Sequence, residues 1–337
     1  MLEKNYKVVF TEKSHVEVWE TDIPEISADS VLIETEISQI STGTELTMLE
    51  ANVDEDSPWW NNIRFPNFPG YSNVGRVVKI GENVDPSFLG KRVHSSGKHA
   101  KYVEVKASNV IMIPDEVDSA EAVFSTIARI SMGSIRIADI RLGDTVVVYG
   151  AGLIGQLLAR LAKLAGAANV FVTDVSDSRL DLLPNQPGFH KVNSTKEDIV
   201  EVLNTHGKKE LARIVFETTS VPSLVAKEIM CLQKLGKLII TSSPKGKSLI
   251  DFDNVNRKGI SIIGAHNLTV HTPVATPRDP WTVLADGQCF VDMLSRKEIS
   301  VKNMNTHIAH YTKAPELYEM LMKDRTQAMS VLIDWRD

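Results

Sequence analysis

In the first hundred residues the apolar positions fall in short runs rich in valine and isoleucine and bounded by turn residues. Tyr6 to Phe10, Val31 to Ile37, Ser72 to Ile80 and Ala100 to Val105 each predict a β-strand. Helical spacing is scarce in this half. From Val74 to Val84, glycines interrupt a valine-rich run that turns at Gly81-Glu82-Asn83, the pattern of a tightly bent, barrel-like sheet. After Pro114 the period changes. Ser119 to Ile137 carries apolar residues at helical spacing, and Thr145 to Tyr149 is a β-branched run entering Gly150. A predicted helix over Leu153 to Ala165 is followed by apolar strands at Asn169 to Thr173, Arg213 to Glu217, Lys237 to Thr241 and Ile260 to Gly264. Strands spaced by helices in this way form a parallel sheet. A proline-rich loop, Pro273 to Pro280, leads to helices over Thr282 to Leu294 and Ala314 to Lys323 and a last strand, Met329 to Asp334.

Bulk properties add limits rather than identity. At 337 residues the chain is long enough for two domains. With 43% hydrophobic and 24% charged residues it has ordinary globular composition, which excludes an extensively disordered or collagen-like chain. A net charge of -6 without a long basic run gives no support for nucleic-acid or membrane-surface binding, so a small neutral or polar partner is expected. Only Cys231 and Cys289 occur, too far apart for ligand spacing, and the opening MLEKNYKVVF lacks the pattern of a secretion signal. A reduced, cytoplasmic protein is expected, and no apolar stretch reaches the roughly 20 residues that span a bilayer.

The sharpest chemical signal is Gly150-Ala151-Gly152-Leu153-Ile154-Gly155, which follows a predicted strand and opens a predicted helix. In a dinucleotide site the first glycine permits the turn, the second lets the backbone approach the pyrophosphate, and the third packs helix on strand. The helix N-terminus attracts the phosphate charge. The next strand ends in Asp174, placed to accept hydrogen bonds from the adenosine ribose and to repel a 2′-phosphate, which favours NAD over NADP. Arg179 can stack on adenine or, as the alternative, bind such a phosphate. The bland reading is a glycine-bearing core turn with Asp174 capping a loop.

The order of features, a β-rich half, a central Rossmann unit and a return to the first domain, resembles the medium-chain dehydrogenase/reductase superfamily over essentially the whole chain. Pro69-Gly70-Tyr71-Ser72-Asn73-Val74-Gly75-Arg76-Val77-Val78 is similar to its proline-glycine-histidine-glutamate segment, and Ile140-Arg141-Leu142-Gly143-Asp144-Thr145-Val146 to its lead-in to the Rossmann strand. The resemblance implies an α/β fold: a doubly wound parallel sheet over 118–269, binding NAD, and a mostly β, GroES-like catalytic domain from 1–117 and 270–337. It also implies a homodimer paired near Ile260 to Gly264.

Zinc-dependent alcohol dehydrogenases of the superfamily carry an isoleucine-cysteine-glycine motif, a histidine-glutamate pair and a four-cysteine zinc lobe. Here the corresponding stretches read Ile40-Ser41-Thr42-Gly43-Thr44-Glu45-Leu46 and Gly70-Tyr71-Ser72, and 91–107 holds no cysteine. Serine and tyrosine are poor zinc ligands, so neither a catalytic nor a structural zinc is expected. Another acid must then polarise the substrate carbonyl. His99, Tyr71, Glu45 and Lys101 are the candidates that the alignment brings to the cleft. Each has a plainer reading: a backbone-satisfied imidazole, a core tyrosine, a solvated glutamate and lysine.

Further dinucleotide candidates are Thr126, Thr218, Ser242 and the pair His266-Asn267, the last three positions following sheet strands, although such hydroxyls also cap helices. Trp59-Trp60 with Arg64 is assigned no role. The expected function is zinc-independent, NAD-linked interconversion of a secondary alcohol and a ketone on a sugar, polyol or cyclitol. An enone or quinone reductase and a non-catalytic dinucleotide-binding protein are the alternatives.

Overall fold

The computed structural model describes residues 4–53, 60, 63–206, 211–244 and 246–337. Trp59 lies outside them. The chain forms two compact units, 1–126 with 287–337, and 127–286.

The first unit opens with the hairpin β1 (Asn5–Glu12) and β2 (His15–Thr21). Then come β3 (Ser30–Ile40), α1 (Thr42–Glu50), β4 (Asn73–Ile80), β5 (Arg92–Ser95), β6 (Tyr102–Lys106), β7 (Ile111–Met112) and α2 (Ser119–Ala122). The helix predicted over Ser119 to Ile137 is broken in the structure: α3 runs Ser125–Ala138, with Val123 and Phe124 fully buried at the break.

The second unit continues with β8 (Thr145–Tyr149), α4 (Leu153–Leu164), β9 (Asn169–Asp174), α5 (Asp177–Leu180), β10 (Phe189–Asn193) and α6 (Ile199–Thr205). Next are β11 (Ala212–Glu217), α7 (Val225–Met230), β12 (Leu232–Ile240), α8 (Phe252–Lys258), β13 (Ser261–Gly264) and α9 (Asn267–Val270). The chain closes with α10 (Val283–Ser295), β14 (Asn305–His310), α11 (Ala314–Asp324) and β15 (Ser330–Asp334).

All strands of the second unit are parallel, in the order β10-β9-β8-β11-β12-β13. This is the doubly wound Rossmann order, with its topological switch between β8 and β11. The central strands read as continuous apolar runs because helices cover both faces, and Val146, Val148, Ile214 and Phe216 are fully buried. The first unit is built on a sheet ordered β14-β15-β3-β4-β5-β7, with β6 paired to β3; β14 and β15 are its one parallel pair.

The unit boundaries fall later than the sequence places them, and hydrogen bonds explain both shifts. Residues 118–126 stay with the first unit because Ser119 donates to Glu36 and accepts from Arg92, and Thr126 donates to the Tyr71 carbonyl. Residues 270–286 stay with the second because His271 and Arg136 both bond Asp286. Among the described residues no helix is long and apolar enough to cross a membrane.

Candidate functional site

In the second unit the chain leaves β8 through Gly150, whose φ of +98° is left-handed. A Cβ at Gly155 would lie 1.8 Å from the Gly150 carbonyl oxygen, so only glycine lets α4 pack this close to the turn. Gly152 is different: a Cβ there meets nothing within 4 Å. Space is left where a pyrophosphate would approach, and Leu153 and Ile154 open α4 behind it. Asp174 ends β9, and its two oxygens accept the Ala151 N–H at 2.7 Å and the Ser176 N–H at 2.9 Å. The acid is thereby tied to the glycine turn, with lone pairs left for a ribose. The turn, the open position and the acid fit a dinucleotide.

Thr218 and Ser242 are hydrogen-bonded within this unit. Thr218 donates its hydroxyl to the Tyr149 carbonyl at 2.6 Å. Ser242 donates to Glu217, a buried carboxylate at the end of β11 that sequence reasoning did not single out. Glu217 also accepts the Thr219 and Ser220 N–H groups at 2.6 and 2.8 Å, fixing the loop beyond the strand. Arg179 lies on α5, its carbonyl accepting Gln156 at 2.7 Å. His266 stands at the N-cap position of α9 without a side-chain cap bond and is exposed, whereas the Asn267 side-chain oxygen is buried and accepts no hydrogen bond from the described residues.

In the first unit, β3, α1 and the segment before β4 bring Ser38, Ser41, Glu45 and Tyr71 together. Glu45 is fully buried rather than solvated. It accepts the Ser41 N–H at 3.0 Å, the Tyr318 hydroxyl at 2.5 Å and His99 Nε2 at 3.1 Å. Three donors offset the cost of burying its charge. His99 Nδ1 lies 2.8 Å from Ser38 Oγ, which also accepts the Trp335 indole N–H at 2.8 Å. Ser38 and Glu45 thus take one ring nitrogen each, Nδ1 and Nε2. Tyr318 is pushed well above the usual phenol range by burial and by the Glu45 charge.

Two expectations change here. His99 is buried, and its two ring nitrogens have Ser38 and Glu45 as partners. Lys101 is not part of the group: its ammonium pairs with Asp337 at 2.5 Å.

Tyr71 is only partly buried. Its hydroxyl donates to Ser41 Oγ and lies 3.3 Å from Thr44 Oγ1. Burial raises the phenol above its ordinary value, so it is protonated at neutral pH. Its carbonyl accepts from Thr126, which also meets His94 Nε2 at 3.0 Å; His94 is a buried imidazole that the sequence offered no motif to flag.

This donor set does not fit zinc. Ser41, Thr44, Tyr71 and Ser72 carry hydroxyls; His99 and Glu45 are spent on each other, and His94 Nε2 meets the Thr126 and Ser72 hydroxyls. Among the described residues no three His, Cys, Asp or Glu side chains group as metal ligands.

Residues 154–275 match the model of a family described as zinc-binding dehydrogenase. That span lies within the second unit and contains none of the hydroxyls around Tyr71. An L-threonine 3-dehydrogenase of Pseudoalteromonas atlantica is 28% identical over 75% of this chain and 82% of its own. Among solved structures, galactitol-1-phosphate dehydrogenase of Escherichia coli superposes with a TM-score of 0.83 at 18% identity, covering 98% of this chain and 99% of the other. A Sinorhizobium meliloti protein solved with NADP gives 0.81 at 18% identity with the same coverage. At these identities the structures show the shared fold.

Proposed function

From the premise that the chain belongs to the medium-chain dehydrogenase/reductase superfamily, we propose that it is a zinc-independent, NAD(H)-dependent oxidoreductase interconverting a secondary alcohol and a ketone. The observation that carries this reading is the Tyr71–Ser41 hydroxyl pair, in the segments where zinc-dependent members have ligands.

A bound nicotinamide supplies the hydride acceptor or donor. The protein's task is the proton. Tyr71, protonated and donating to Ser41, leaves the Ser41 hydroxyl hydrogen to be given onward to a substrate oxygen. In ketone reduction the pair supplies a proton to the developing alkoxide; in alcohol oxidation the hydroxyl proton returns along the same two oxygens. Glu45, held by His99 and Tyr318, fixes the Ser41 backbone and so the geometry of the pair.

Asp174 supports NAD over NADP, since a carboxylate there repels a 2′-phosphate. The substrate class is a sugar, polyol or cyclitol, in keeping with the polyol phosphate and threonine named for the proteins it resembles. The test is a panel of polyols, cyclitols and ketones with NAD, NADH, NADP and NADPH. Turnover of a secondary alcohol with NAD supports the reading; activity confined to enones with NADPH, or binding without turnover, contradicts it.

Homodimerisation is part of the proposal. β13 ends the parallel sheet with one edge unpaired, and Ser261, Ile262 and Gly264 on it are exposed. Such an edge invites pairing with a second copy. A monomer by light scattering, or a dimer unaffected by Ile262→Lys, contradicts this part.

A further inference from the structure

His271 lies just after α9, buried, with its two ring nitrogens facing acceptors. Nδ1 is 2.8 Å from the Asn267 carbonyl oxygen and Nε2 is 3.0 Å from Asp286 Oδ2. A carbonyl oxygen can only accept. Asp286 is fully buried on α10, and its other oxygen accepts Nε and Nη2 of Arg136 at 2.8 and 2.5 Å in an ion pair. Both contacts are made together only when both ring nitrogens carry hydrogen, that is, when His271 is an imidazolium. The cluster is closed by Trp281, whose ring centre lies 3.3 Å from the Arg136 guanidinium carbon, and by α3. A Cβ at Gly133 would come within 2.9 Å of His271 Cε1.

The charged groups facing the imidazole are Asp286 from α10 and, from α3, Arg129 and the Asp286-bound Arg136; α9 contributes only the Asn267 carbonyl. Burial and Arg129 work against the cation, while the bonds to Asp286 and Asn267 and the Asp286 charge outweigh them, raising His271 above the ordinary histidine value.

Asn267 connects this clamp to ligand binding. It follows β13 at the carboxyl end of the parallel sheet, where dinucleotides lie in this fold. Its backbone carbonyl is the oxygen that His271 fixes, and its side-chain oxygen is a buried acceptor with no donor among the described residues. We propose that His271 is a positioning residue for dinucleotide binding: as the imidazolium it pins Asn267, whose free amide oxygen accepts an N–H or O–H of the ligand, so that affinity depends on His271 protonation. The inference rests on the reading of this unit as a dinucleotide site.

The sign follows from the raised value: the clamp is complete below the ordinary histidine range and is lost as pH rises through the folded-state value. The experiment uses the full chain. The His271 ring is titrated by NMR, and NAD affinity is measured by calorimetry across the neutral to alkaline range for wild type, His271→Gln and Asn267→Ala. Expected are a His271 titration above the ordinary range and a loss of NAD affinity of roughly tenfold through that interval, the loss of one charge-assisted bond. Both variants flatten the profile. Titration of His271 at or below the ordinary value, or a wild-type affinity that does not change with pH, overturns the inference alone. Failure to bind NAD at any pH overturns the dinucleotide reading itself.

Discussion

Asp174 and Ala151 are joined across two strands: the carboxylate that ends β9 accepts the amide of the turn after β8 at 2.7 Å. The residue proposed to select the ribose therefore also stiffens the loop proposed to receive the pyrophosphate. Asp174→Ser is expected to weaken NAD binding by roughly tenfold or more and to narrow the gap to NADP. Parallel titrations with the two dinucleotides check this; an unchanged NAD/NADP ratio contradicts it.

Gly152 and Gly155 separate two reasons for glycine in one motif. With 1.8 Å between its would-be Cβ and the Gly150 oxygen, Gly155→Ala is expected to cost more than about 3 kcal/mol. Gly152→Ala, which meets no protein atom within 4 Å, keeps its melting temperature and loses the dinucleotide. Thermal denaturation alongside calorimetry distinguishes them.

Tyr71→Phe removes the phenol while leaving the ring. The rate is expected to fall roughly a hundredfold or more, with NAD affinity unchanged, because the loss is confined to proton transfer. A variant that keeps its rate removes Tyr71 from the mechanism.

Tyr318→Phe tests the buried network beneath. Glu45 would lose one of its three donors with no water to replace it, and stability should drop by ~1–3 kcal/mol. Chemical denaturation reads this directly, and a neutral result shows that Ser41 and His99 suffice.

Glu228 on α7 is fully buried with neither carboxylate oxygen hydrogen-bonded among the described residues, and burial, then the Glu217 charge, push it up to about 8. An acid raised in the folded state is bound to its proton more tightly there than in the unfolded chain. Its stabilising effect is complete below the unfolded value and is lost as pH rises toward the folded one. Glu228→Gln should therefore gain stability relative to wild type as pH increases through the neutral range, measured as the difference in melting temperature. A difference independent of pH contradicts this assignment.

Five strands of the parallel sheet were legible, β8, β9, β11 and β13 as apolar runs ended by glycine or acid, a local signal that Val146 to Gly150 carries in full; β10, with polar residues between Phe189 and Val192, was missed. α1 was not legible: it buries Glu45 and Thr47 beside Leu46 and Leu49, so no apolar stripe marks it. The same inversion hid the buried polar network of the first unit. Ser38, Glu45, His99, Tyr318 and Trp335 meet only through tertiary folding, and polar residues turned inward look from sequence like solvated ones. His99 was visible as a candidate, but its role depended on Ser38 and Glu45 occupying both nitrogens. Lys101, two residues on, was read with it although it projects elsewhere.

The central claim is that a hydroxyl pair replaces the metal. It is tested most directly by NAD-linked turnover of a secondary alcohol before and after exhaustive chelation, with zinc content measured on the same samples. The account predicts an undiminished rate in the metal-free protein and no gain on adding zinc. A rate abolished by chelation and restored by zinc would contradict it.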